Sequence, residues 1–243
     1  HSIPLSIFTT RKSVLKILTM SNKEFLTSSL AKKFVMAATG LFLISFLVIH
    51  VSINSLIFLN DGGETFNTAA HFMSHNIVVR ILEVGLFVGL LMHIYQAWVL
   101  TQENRKARPV QYAVSNETAS KWYSRSMGIL GSLLLIFLGL HLWDFWFPTK
   151  QAVAAGEEHN TFIELKKAFS EGEYYLARIA VYLLGVFSLG FHLLHGFPSA
   201  FQSLGINHKK YTPVISSIGT AFSIIVPLLF ALMPLAFLFG LLD

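Results

Sequence analysis

Five long apolar runs alternate with short polar segments along the chain, at about residues 34–59, 77–100, 126–147, 178–204 and 214–242. A helix needs about 20 such residues, at 1.5 Å of rise each, to cross the ~30 Å hydrocarbon core of a bilayer. The pattern therefore predicts an all-α integral membrane bundle of five transmembrane helices, which makes residues 20–243 one domain. In the first polar connection, Asp61-Gly62-Gly63 reverses the chain and a polar loop follows to Asn76. In the third connection, Phe162 to Phe169 has the pattern of a short surface helix. Trp143, Phe145, Trp146 and Phe147 precede Pro148, as expected where the third span meets the headgroups. Pro227 and Pro234 are expected to kink the fifth span. Residues 1–19 precede Met20 and read as an extension of unassigned role. They are basic and lack a small-residue cleavage site after an apolar core, so they are not read as a signal peptide.

Charge orients this bundle. The N-terminal segment, the 102–125 connection and the 205–213 turn hold thirteen of the eighteen Lys and Arg, against three acids. Loops 60–76 and 148–177, with Asp243, hold three Lys against eight acids. Lys and Arg favour the cytoplasmic side, so the N-terminus is placed inside and the C-terminus outside.

Composition narrows the class further. Charged residues make up 13% of the chain, about half the share of a soluble domain, and 53% are hydrophobic. There is no cysteine, which excludes disulfides, thiolate metal sites, thiolate-held iron–sulfur clusters and haem attached through Cys. The net charge of +5 comes with no nucleic-acid motif and is explained by topology.

Imidazoles inside these runs are the exception to their apolarity. His50, His93 and His141 lie one each in the first three spans, and His192 and His195 lie in the fourth. Ionisable groups in hydrocarbon are costly and mark functional sites. Counted by helical rise, His50 and His141 come to about the same height near the outer face. His93 and His192 fall at a deeper, cytoplasmic-side level. Two pairs from alternating helices are what a bundle needs to hold two haem irons by axial histidines. His195 is three residues from His192 on nearly the same face, so either could bind iron, or His195 could bond a haem propionate or orient the ligand. Gly85 and Gly89 share the face of His93, where a porphyrin could lie close or another helix could pack. Histidine-dependent transport or a proton channel without haem is the alternative of a different class.

The motifs around these histidines resemble a known family. GETFNTAAHFMS before the second span, HIYQAW around His93, HLWDFW around His141 and FHLLHGFPSAFQSLG around His192 resemble the dihaem cytochrome b anchor, of b558 type, of bacterial succinate dehydrogenase and fumarate reductase. The resemblance runs from Met20 to Asp243. It implies a five-helix anchor in the bacterial cytoplasmic membrane with two haem b groups, the outer held by His50 and His141 and the inner by His93 and His192. The family's pattern places the fourth ligand at the first histidine of FHLLHG, which favours His192 over His195. It further implies menaquinone as substrate, with FAD and iron–sulfur clusters confined to a flavoprotein and an iron–sulfur partner subunit. A b-type subunit of another dehydrogenase or hydrogenase is the nearer alternative.

A quinone site needs proton-bearing groups, and three polar candidates fall near the outer level. Glu83, in the second span, could exchange protons with a quinone or pair with Arg80 one turn away. Asp144 is expected to be solvated at the interface. His71 lies in the loop motif, and His75 would share its face if that loop were helical; two imidazoles are too few for a zinc site. Lys33 and Arg125 are placed to serve the inner haem's propionates, and Arg80 and Arg178 the outer's, although basic residues at helix ends commonly just snorkel. Arg105, Lys106 and Arg108 could help dock the iron–sulfur subunit, or simply set topology.

Overall fold

The computed structural model of the protein describes residues 28–106 and 122–242. The 1–19 extension, Arg108 and Asp243 lie outside the described residues. All regular structure among the described residues is helical. Helix α1 spans Ser29–Asn54 and continues as a 3₁₀ turn to Leu59; α2 is Glu64–His75, α3 Ile77–Lys106, α4 Trp122–Arg125 and α5 Met127–His141. A π turn, Leu142–Trp146, joins α5 to α6, Phe147–Ala155; α7 is Thr161–Ser170, α8 Tyr175–Ser203 and α9 Thr212–Leu238. Five segments are long and apolar enough to cross a membrane: Ser29–Leu59, Ile77–Lys106, Met127–Ala155, Tyr175–Ser203 and Thr212–Leu238. The chain is a multi-pass membrane protein.

Local chemistry explains where several of these helices begin. Ser28 caps α1, its hydroxyl accepting the Ala31 N–H at 3.2 Å, and Asn160 caps α7 by accepting from Ile163 N–H at 3.0 Å. Asn60, Gly62 and Gly63, all with positive φ, carry the reversal expected after the first span. The segment beyond it is helix α2 rather than a loop, because Asp61 accepts the Thr65 N–H at 3.0 Å and supplies the cap that its glycines cannot.

Pro148 does not end the third span. The π turn breaks the helical register just before it, so Pro148 falls in the first turn of α6, where its missing N–H costs nothing, and the helix runs on to Ala155. Pro227 and Pro234 likewise lie inside the continuous helix α9.

Helix α8 is the hub, packing on α9, α5 and α1, while α3 packs on α1. In lipid, such association rests on close fit rather than hydrophobicity. Gly185 of α8 shows this: a Cβ there would come within 2.4 Å of the Phe137 ring of α5. A core cluster lies at the end of the bundle where the first span finishes and includes Ile57, Phe66, Phe162, Phe169, Tyr182 and Phe237. Helix α7 is therefore more than a surface helix, because it buries Phe162, Leu165, Ala168 and Phe169 against the bundle. Asn67 ties α2 to the start of α7, donating to Asn160 Oδ1 and accepting from Phe162 N–H, each at 3.0 Å.

Candidate functional site

Four of the five intramembrane histidines meet as two pairs. His50 of α1 faces His141 of α5 with ring centres 5.8 Å apart and planes at 84°. His93 of α3 faces His192 of α8 at 6.2 Å and 63°. Two imidazoles sharing one metal, with bonds of about 2.0–2.1 Å, hold their ring centres roughly 6.3 Å apart. Both pairs lie close to that spacing. Among the described residues no three His, Asp or Glu side chains converge on a metal position, so each pair supplies two ligands only. That donor set fits haem, whose porphyrin supplies the other four.

The Nδ1 atoms of His141 and His192, one in each pair, are buried without a hydrogen-bond partner, as are Gln96 Oε1 and His159 Nε2. Leaving such a group unsatisfied costs about 1–3 kcal/mol, and it is usually explained by a functional role. At the inner pair, the Thr39 hydroxyl donates to Val35 O at 2.8 Å, so its oxygen accepts from His93 Nδ1 at 3.2 Å. The proton then sits on Nδ1, and Nε2 keeps its lone pair for a ligand. Sequence reasoning missed Thr39, although its place on the first span at the level of His93 was a usable signal.

Each pair has a distinct setting. His50 stacks on Phe46 and meets Phe230, while His141 is enclosed by Phe137, Phe145 and Tyr182. Beside the inner pair, a Cβ at Gly40 would stand in ordinary contact with the His93 ring at 3.5 Å, so α1 passes close to that imidazole. Gly89 accommodates Phe42 of α1, which is helix packing, whereas Gly85 faces nothing within 4 Å. His192, and not His195, is the ring opposite His93.

The outer polar groups are arranged differently from expectation. Glu83 does not pair with Arg80: its carboxylate accepts from Lys150 Nζ at 2.6 Å and from Trp146 Nε1 at 2.5 Å. The extension of the third span past Pro148 brings Lys150 there. Asp144 is not solvated; its side chain is 6% exposed and paired with Arg178 Nε at 3.2 Å. Tyr182 donates its hydroxyl to the same Asp144 oxygen at 3.0 Å. Arg80, Lys33 and Arg125 are exposed at helix ends. His71 and His75 are exposed on α2, their rings stacked 3.9 Å apart.

A shallow, open groove of about 620 Å³ lies between α2 and the end of the first span. Ile53, Leu56, Phe72 and Met73 give it apolar walls, and Glu64, Thr65 and Thr68 add polar atoms. Ile53 is three residues beyond His50. Glu64 is a further residue that sequence reasoning missed, because the segment carrying it was read as loop.

No protein-family model matches the chain, and no solved structure matches it. The chain is 28% identical over 207 residues to a Bacillus subtilis (strain 168) protein named succinate dehydrogenase cytochrome b558 subunit. The match covers 84% of this chain and 91% of that protein, so the resemblance read from the histidine motifs extends along nearly the whole length of both.

Proposed function

We propose that the chain is the membrane-anchor cytochrome b subunit of a succinate:quinone oxidoreductase in a bacterial cytoplasmic membrane. The observation that carries this is the meeting of four imidazoles from four spans in two pairs at metal-sharing distance. The likeness to the Bacillus subtilis succinate dehydrogenase cytochrome b558 subunit supports it.

In this reading His50 and His141 hold the outer haem b, and His93 and His192 the inner one. Bound there, the haems supply one-electron redox chemistry. The residues of the chain do the rest: Thr39 fixes the tautomer of His93, and the Phe and Tyr rings around His141 keep water from the outer pair. Electrons enter from an iron–sulfur subunit at the basic inner face, where Arg105 and Lys106 end α3. That subunit in turn serves a flavoprotein subunit carrying FAD. With no cysteine and no dinucleotide fingerprint, this chain holds neither cofactor.

Menaquinone is placed at the outer groove. Its apolar walls suit a quinone ring. Glu83 and His71 are the proton-bearing groups assigned to that end, with Glu83 oriented by Lys150 and Trp146.

The reading is tested by a reduced-minus-oxidised spectrum of the purified complex. A b-type band amounting to two haems per chain is expected, and one haem should be lost when any one of His50, His93, His141 or His192 becomes Ala. Absence of the band, or full pigment in all four variants, overturns it. Copurifying succinate-oxidising activity distinguishes this complex from other b-type dehydrogenases.

A further inference from the structure

The π turn begins at the residue after His141 and contains Asp144. A π turn widens the helix and delays each following side chain round the axis. Asp144 is thereby carried off the face of the imidazole and toward α8, where Arg178 and Tyr182 stand one turn apart. Its Oδ2 receives both Arg178 Nε and the Tyr182 hydroxyl. Arg178 is fixed a second time by Nη1, which donates to Ala168 O of α7 at 3.3 Å. Tyr182 is buried, and its ring lies 6.0 Å from that of His141. A carboxylate and a guanidinium are thus locked together, one aromatic ring away from the outer histidine pair.

Buried charges are tolerated when paired, and interactions there are weakly screened. An unpaired charge at this place would act on any redox centre between His50 and His141. We propose that Asp144 is a positioning residue that holds the Arg178 guanidinium as half of a neutral unit, and that this neutrality keeps the reduction potential of the outer haem down. The proposal rests on the dihaem reading above. Arg178 is then not simply a propionate partner, because two of its N–H groups are already engaged within the chain.

The test is a potentiometric titration of the haem spectra in the purified complex, the outer component being the one lost from His50→Ala. In Asp144→Asn the guanidinium charge is no longer compensated and favours the reduced haem, so the outer midpoint potential rises while the inner one stays. Asp144→Asn combined with Arg178→Gln is neutral again and returns the outer potential toward the wild-type value. A structural role for the pair would also reverse in the double variant, so Arg178→Gln alone is the discriminating variant: its uncompensated carboxylate lowers the outer potential, opposite in sign to Asp144→Asn, and an unchanged potential there overturns the proposal. If Asp144→Asn sheds the outer haem, Arg178→Gln carries the test. The proposal is also overturned by an unchanged outer potential in Asp144→Asn with both haems bound, or by a shift that the double variant keeps. A wild-type complex without b-type haem removes the dihaem reading itself, and this inference with it.

Discussion

Thr39 and His93, on different spans, are joined by a 3.2 Å hydrogen bond in which the hydroxyl oxygen accepts from the ring. The direction is set within α1, because the hydroxyl proton is already given to Val35 O. Thr39→Val keeps the shape and removes this acceptor, so the His93 ring loses the side chain that orients it. Loss of such a partner typically weakens a bound metal group by ~10–100-fold. The inner haem should therefore wash out of Thr39→Val during purification and be retained in Thr39→Ser. Haem-to-protein ratios decide this, and equal retention in both variants would show that the hydroxyl does not orient the ligand.

Gly185 makes a second contact of this kind, through packing. A Cβ at this position would lie 2.4 Å from Phe137 Cγ and 2.7 Å from Phe137 Cβ, so the ring cannot simply swing aside. Phe137 stacks on His141 at 5.6 Å. Gly185→Ala should destabilise the bundle by about 1–3 kcal/mol through overpacking and disturb the outer pair before the inner one. A thermal melt with separate monitoring of the two haem bands measures both effects. A variant as stable as wild type with an unchanged outer band would mean that α5 and α8 have slack at this point.

How much of this was legible beforehand follows from which interactions are local. The five spans and the four paired histidines could be read because span length and helical rise fix depth without knowledge of neighbours. The partner of Glu83 could not. It depends on Lys150, which reaches the membrane end only because a π turn lets the third span pass Pro148. For the same reason Asp144 was expected at the interface, while the register change turns it inward to Arg178. Helix α2 was read as a loop because its polar sequence resembles one, and its cap, Asp61, stands three residues ahead of its first residue.

Asp61 gives a pH prediction outside the membrane spans. Hydrogen bonds from the Thr65 hydroxyl and N–H hold its carboxyl below its ordinary value of 3.8. A depressed folded-state pKa means that the carboxylate's contribution is present above the unfolded value and lost as pH falls through the folded one. The first turn of α2 should therefore fray in acid below about pH 4. The Thr65 amide, followed by hydrogen exchange, should lose protection there in the wild type. In Asp61→Asn, which accepts the bond without titrating, protection should not change across the same range. Identical acid profiles for the two proteins would remove the carboxylate from the cap.

In the proposed function Glu83 is the group assigned to proton exchange with the quinone. Its carboxylate holds Lys150 and Trp146 together, each of the paired side chains being about a quarter exposed. The pair's worth then falls between the ~0–1 kcal/mol of an exposed pair and the ~3–5 kcal/mol lost on breaking a fully buried one. Glu83→Gln keeps an acceptor for the indole and loses the ionisable group. If Glu83 exchanges protons with quinone, this variant retains both haems but reduces quinone at least ~10²-fold more slowly, the low end of what a positioned acid or base contributes. Lys150→Met disturbs the pair without removing the carboxyl, so it should lower stability while leaving quinone reduction closer to wild type. Should the two variants lose quinone reduction equally, the ion pair is a structural brace between α3 and α6, and the proton must reach the quinone by another group.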